Sequence, residues 1–271
     1  MKTAKHSILI LAAIIAVFPL VWMSLTSLKS NEAIAESIFM PPTAPRLEAY
    51  KTVLTRNGAA RSLLNSLLIA GSAVIGVTGL AALAGYGFGR FTFRGKRLLW
   101  YLFLAGLFLP VHVTLIPLHR LEGMLGMSRG VGSAVFLCFV YMAFNMSFSV
   151  FFLRSFFEDL PQELMDAASV DGCGPAAVFW RVMLPISIPA LTVVALINAV
   201  MIWNEFVFAL VLLQSQEYYT LPLMAMHFAD ETGLDLSRTT AVLTLATLPI
   251  IALFLVAQRH IINGISQGAL K

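Results

Sequence analysis

Ionisable and amide side chains are scarce in this 271-residue chain, and two groups of them stand out. Five acids lie within 14 residues: Glu158, Asp159, Glu163, Asp166 and Asp171. Asn198, Trp203, Asn204 and Glu205, with Asn145 further upstream, interrupt sequence that is otherwise apolar. Glu205 is the only acid well inside an expected membrane span. A charge at mid-membrane costs about 2.5–3.5 kcal/mol on insertion scales, so it needs a reason to be there. Asn198 lies seven residues earlier, on the same helix face. Such a group suits either a polar pathway or gate across the membrane, or hydrogen bonding between helices. It does not suit catalysis. The five histidines are scattered, and no His, Asp, Ser or Cys cluster has catalytic spacing. His112, without a paired carboxylate, reads as a packing or hydrogen-bonding residue rather than a proton relay. Cys138 and Cys173 form neither a metal-ligand pattern nor a disulfide framework and read as packing residues.

The elements that must position these residues follow from composition. The chain is 59% hydrophobic and 12% charged, with a mean hydropathy of +0.84. A soluble domain carries about 25% charged residues, so the balance implies an all-α polytopic membrane protein. Long apolar runs, rather than short alternating segments, exclude a membrane β-barrel. The net charge of +4 fits basic loops at a membrane rather than nucleic-acid binding. Six runs reach the roughly 20 residues needed to cross a bilayer: 7–28, 63–89, 98–118, 131–153, 186–213 and 239–259. The first is too long for a signal-peptide core of about 7–15 residues and reads as a retained span. Four of the eight residues from Arg90 to Arg97 are basic, against two in the 119–130 segment, which reads as an outer loop. By the positive-inside rule, both termini and the 154–185 loop face the cytoplasm.

Residues 29–62 are too polar to span and are expected across the outer face, with a short amphipathic helix around 47–55. Ala81, Gly85 and Gly89, at four-residue spacing, allow close helix–helix approach. Pro110 and Pro117 each remove a backbone hydrogen bond and can kink the third span. The expected organisation is an N-terminal span with its outer segment (1–62), a core of 63–259 and a C-terminal tail (260–271). No internal duplication is visible.

Three of the five acids, Glu163, Asp166 and Asp171, sit in the stretch Leu160–Pro189, and the other two directly precede it. Pro161 and Glu163 suit the first turn of a helix that runs through Leu164, Ala167 and Ala168. Gly172 suits its end, since glycine enters left-handed backbone conformation cheaply. Gly174-Pro175 can open a second helix whose apolar face holds Val178, Phe179, Val182 and Met183. Spacing alone leaves two readings open: a surface on which a partner docks at Ala167 and Ala168, or an amphipathic connector resting on lipid headgroups.

Asp166-Ala-Ala-Ser-Val-Asp-Gly172, then nine residues, then Val182-Met-Leu-Pro185, resembles the EAA loop of ABC importer permeases. In that pattern Asp166 replaces Glu and Val182 replaces Ile, while the spacing from Gly172 to Leu184 and Pro185 is intact. Asn65-Ser66, Gly85-Tyr-Gly-Phe-Gly-Arg90, Pro110, Trp203-Asn-Glu-Phe206 and the tail Gln258–Lys271 are similar to the carbohydrate-importing, maltose-type branch. The resemblance implies six transmembrane helices with a cytoplasmic helix-turn-helix coupling loop. It makes Asp166, Ala167, Ala168, Asp171, Gly172, Val182, Leu184 and Pro185 the loop residues that meet the ATPase. It also implies a second permease subunit, two cytosolic ATPase subunits and an extracytoplasmic solute-binding protein. ATP and magnesium would be bound by the ATPases and no cofactor by this chain, which has no Gly-x-x-x-x-Gly-Lys-Ser/Thr loop. The outer 214–238 loop, with Glu217, Tyr218, Tyr219, Asp230, Glu231 and Asp235, would reach toward the binding protein.

The leading expectation is a non-enzymatic permease in a bacterial or archaeal cell membrane, forming half of the pathway for a sugar or sugar-like solute. The alternative is a stand-alone ion-coupled transporter. That would require paired ionisable residues near the midplane and an internal repeat, and only Glu205 and His112 qualify.

Overall fold

The computed structural model describes the backbone of residues 2–55, 58–231 and 235–268, and the side chains of 5–55, 58–226 and 235–255. Every long element is a helix, as a bilayer demands: a helix satisfies its own backbone N–H and C=O groups where water is absent. In chain order these are α1 (Lys2–Thr26), α2 (Asn31–Glu36), α3 (Glu48–Thr55), α4 (Ala59–Arg90), α5 (Lys96–Gly106), α6 (Val111–Met124) and α7 (Val131–Asp159). They continue with α8 (Glu163–Val170), α9 (Pro175–Val178), α10 (Leu184–Ile186), α11 (Ile188–Trp203), α12 (Val207–Leu212), α13 (Leu221–Glu231) and α14 (Leu236–Gly268).

Four helices are individually long and apolar enough to cross a membrane: α1, α4, α7 and the described part of α14, with two bent pairs completing six. Two expected spans are therefore broken. The 98–118 run is α5 and α6, meeting at 102°. Pro110 is extended (φ −72°, ψ 130°) and stands before α6 rather than kinking a helix from within; Pro117 does lie inside α6. The 186–213 run holds α11 and α12, separated by Asn204–Phe206; the second bent pair is Pro175–Ile186 with Ile188–Trp203, which meet at 74° at the start of that run.

The chain divides into two compact units. In the first, Met1–Ser66 with Ser215–Ile251, Val53, Ala59, Leu221, Met224, Ala225 and Val242 form the core. The amphipathic helix expected near 47–55 is α3, with Ala49 and Val53 buried. Ser237 ties the start of α14 to the α1–α2 connection: its N–H donates to Asn31 Oδ1 at 3.1 Å and its hydroxyl to the Lys29 carbonyl at 2.6 Å. Asn65 donates to the carbonyls of Glu217 (2.9 Å) and Tyr219 (3.1 Å), and the Ser66 hydroxyl accepts from the Leu221 N–H at 2.7 Å. These bonds anchor the 215–221 segment on the first turns of α4. The side chains of Asp230 and Glu231 lie outside the described residues.

In the second unit, Leu67–Gln214 with Ala252–Lys271, α7 packs against α5 and α11. The small-residue stripe of α4 does what its spacing predicts. A Cβ at Gly85 would sit 3.0 Å from the Arg154 amide nitrogen, and one at Gly89 would sit 3.1 Å from Phe157 Cβ. Only glycine admits the α7 backbone that closely. The resulting core holds Ala81, Tyr86, Phe88, Leu153, Phe157, Val178, Phe179 and Met183.

Candidate functional site

The Leu160–Pro189 stretch folds as helix, glycine turn, helix. Leu160 is extended (φ −69°, ψ 143°), as a residue before proline prefers, and this ends α7. Pro161 thus precedes the first loop helix instead of opening it; Gln162 takes the N-cap position and Glu163 begins α8. Gly172 stops α8 as its type predicts, with φ +79°. Its N–H donates to the Ser169 carbonyl (3.0 Å) and the Cys173 N–H to the Ala168 carbonyl (2.9 Å). This pair is the Schellman arrangement, which satisfies two carbonyls at a helix end.

The loop presents two faces. Asp166, Ala167, Val170, Asp171 and Gly172 are exposed. Ala168 is not part of that surface: it is buried against the core of its own unit. The smooth surface expected from Ala167 and Ala168 together is therefore carried by Ala167. The correction follows from helix geometry, since consecutive residues project about 100° apart. Val178, Phe179 and Met183 are buried with Val182 half-buried beside them, as the apolar pattern anticipates. After Val178 the helix widens into a π turn over Phe179–Met183, closed by the Leu184 N–H donating to the Phe179 carbonyl. Leu184 is half-buried and Pro185 exposed. The buried Ser187 donates to the Met183 carbonyl at 2.6 Å, and the chain bends by 74° between Ile186 and Ile188. Loop and α11 are therefore a bent pair, not a single straight rod.

The polar residues of α7 and α11 meet in two rungs. Tyr141, Asn145 and Ser149 recur every fourth residue on α7, hence on one face. Asn198, fully buried, donates from Nδ2 to Ser149 Oγ at 2.9 Å. Seven residues on, Glu205 Oε2 accepts from the Tyr141 hydroxyl at 2.8 Å, and Oε1 accepts from the Phe208 N–H at 2.8 Å. The second bond makes Glu205 a side-chain cap for α12, whose first N–H groups have no partner within the helix. Asn145 donates to the Tyr141 carbonyl and Ser149 to the Asn145 carbonyl, each at 2.8 Å. Asn204 is exposed and donates to the Val200 carbonyl at 2.8 Å; Trp203 is buried. The structure thus brings Asn145, Asn198 and Glu205 together along one helix interface and leaves Asn204 facing outward. His112 is exposed near the start of α6.

Four participants carried little warning in the sequence. Tyr141 and Ser149 look like ordinary members of an apolar run, although their spacing to Asn145 was available. Glu122, in the segment read as an outer loop, is fully buried in α6, with His119 Nδ1 3.5 Å from its Oε2. Arg90 looks like a basic flank of the membrane, yet it reaches Leu160 and Gln162.

Four helices long and apolar enough to cross a membrane, two further bent pairs and a structured polar loop among the described residues define a polytopic membrane protein. Residues 78–267 match the family described as the binding-protein-dependent transport system inner membrane component, and the chain belongs to that family. A diacetylchitobiose uptake system permease protein of Streptomyces coelicolor is 34% identical over 98% of this chain and 88% of that protein. A melibiose/raffinose/stachyose import permease protein of Bacillus subtilis is 28% identical over 97% of this chain and 96% of that protein. The fold is also that of a chain from a bacterial ABC transporter that imports the acidic polysaccharide alginate. That match has a TM-score of 0.80 at 21% identity, covering 95% of each chain. The protein is thus a multi-pass membrane subunit of a binding-protein-dependent transport system.

Proposed function

We propose that this chain is one permease subunit of an ATP-driven ABC importer and forms half of the translocation pathway for a carbohydrate. The single observation that carries the coupling role is the two-faced loop. Its apolar side is buried in the chain's own core while Asp166, Ala167 and Asp171 face outward beside a glycine-locked turn. A loop merely resting on headgroups would keep its apolar side toward lipid. In this reading the loop faces the cytosol, as do both termini, and docks on one of two ATPase subunits that bind ATP and magnesium. Asp166 offers that partner an ion pair. A second permease completes the pathway, an extracytoplasmic protein delivers the solute, and lipid covers the apolar residues of α1.

The carbohydrate class is supported by the solutes for which the two relatives above are named, diacetylchitobiose and melibiose/raffinose/stachyose, all of them saccharides. Pathway residues are assigned to Asn145, Asn198, Trp203, Asn204 and Glu205. Asn204 offers its side chain outward, and the buried members fix the wall behind it. Gly172→Asp and Asp166→Lys in the assembled complex test the coupling role. Both variants should lose solute uptake and solute-stimulated ATP hydrolysis; undiminished values in both would defeat it.

A further inference from the structure

We propose that Arg90 is a positioning residue for the docking loop, clamping α8 to the end of α4 so that the two move as one body. The inference rests on the coupling role assigned above and names the part of the chain that holds the loop in register. It begins with glycine. Gly85 and Gly89 let α4 lie directly on the α7 backbone between Leu153 and Phe157, which carries Arg90, the last residue of α4, to the C-terminal end of α7. That end has unsatisfied carbonyls, and a cation there also meets the negative end of the helix dipole.

The guanidinium divides its donors. Nη2 donates to the Leu160 carbonyl, and Nη1 donates to Gln162 Oε1 at 3.1 Å. Gln162 in turn donates from Nε2 to Asp166 Oδ1 at 3.2 Å. Three hydrogen bonds therefore run from α4, across the Leu160-Pro161 break, to the exposed acid of α8. The break needs such a bridge: α7 has ended, Pro161 has no N–H to contribute, and no helical ladder connects α7 to α8. One turn earlier on α4, the Tyr86 hydroxyl donates to the Pro175 carbonyl at 3.4 Å, and its ring lies 5.1 Å from that of Phe179. The end of α4 thus holds both helices of the loop. A planar fork with several fixed donors can serve two acceptors at once. A lysine ammonium on a flexible stem reproduces the charge but not that geometry.

The test uses the complete importer in lipid nanodiscs with MgATP as the probe. Arg90→Ala, Arg90→Lys and Gln162→Leu are compared with Gly172→Asp. Co-purification of the ATPase subunits, hydrogen–deuterium exchange of amides 163–173, and kcat and KM for MgATP are measured. In Arg90→Ala the ATPases should still co-purify, and exchange across 163–173 should quicken by roughly tenfold, the loss expected for a charged hydrogen bond. The kcat for MgATP should shift while KM holds, and Arg90→Lys should fail to restore it. If Gly172→Asp alters kcat while Arg90→Ala leaves exchange and kcat unchanged, the clamp is refuted and the coupling loop stands. If Gly172→Asp also leaves kcat unchanged, the coupling reading falls and the clamp with it. Should Arg90→Ala prevent assembly, Gln162→Leu carries the test: wild-type exchange across 163–173 in that variant refutes the relay.

Discussion

Replacing Glu205 by alanine removes two acceptors at once, one for the Tyr141 hydroxyl and one for the Phe208 N–H, both at 2.8 Å. A hydrogen bond to a charged group is worth about 1.5–3 kcal/mol, and a buried donor left unpaired costs a similar amount. The two bonds share one carboxylate and do not add in full, so the expected loss is about 3–5 kcal/mol. At about 2–4 °C per kcal/mol for a chain of this size, the apparent melting temperature of the purified complex should fall by about 6–20 °C. Glu205→Gln keeps one acceptor of the same shape and should lose roughly half as much. Tyr141→Phe combined with Glu205→Gln should show a coupling of about 1–2 kcal/mol in a double-mutant cycle, since each change breaks the same contact. The assay is thermal unfolding of the detergent-solubilised complex, paired with uptake in proteoliposomes. A shift under about 2 °C for Glu205→Ala, on the same scale, would refute the capping argument. Uptake lost in Glu205→Gln at an unchanged melting temperature would instead make Glu205 a pathway residue rather than a structural one.

Four further outcomes follow from local geometry. At Gly172 a Cβ would meet nothing within 4 Å, so the cost of substitution is the left-handed backbone alone, roughly 1–2 kcal/mol for alanine. Asparagine tolerates that conformation, so Gly172→Asn should retain more solute uptake than Gly172→Val. Gly85→Val drives a side chain onto the α7 backbone and should destabilise the unit by about 1–3 kcal/mol or more, read as reduced membrane yield and a lower melting temperature. Arg61 and Glu217 pair at the surface, about half exposed, and Arg61→Ala should change the melting temperature negligibly. Asn65→Ala, which frees the carbonyls of Glu217 and Tyr219, should lower it measurably in the same assay.

Much of this protein is legible in its sequence because the bilayer simplifies the problem. Apolar runs of sufficient length are helices in a bilayer, and a glycine after an amphipathic stretch offers a ready stop for one. Accordingly the four uninterrupted spans, α3 and the turn at Gly172 all match the pattern of residues that encodes them. The breaks at 107–110 and 204–206 were less visible. Pro110 signals a departure from regular helix but not whether the chain kinks or turns by 102°. That depends on where α6 finds neighbours, which lie far away in the chain.

The loop divides along the same line. Its glycine, its acids and its apolar pattern are local, and they determine a helix–turn–helix. Which alanine faces outward is not local: Ala167 is exposed and Ala168 buried because the core assembled from α4, α7 and the loop takes one side of α8. The same holds for the polar residues. The sequence alone determined that Glu205 needs a reason to lie in an apolar run. Only the tertiary structure decided that the Tyr141 hydroxyl and the start of α12 supply its partners, and that Arg90 serves the loop rather than the membrane surface. Hydrogen bonds between residues 64 or 70 positions apart exist only once helices have packed, and packing is set by steric fit that no single stretch of sequence contains.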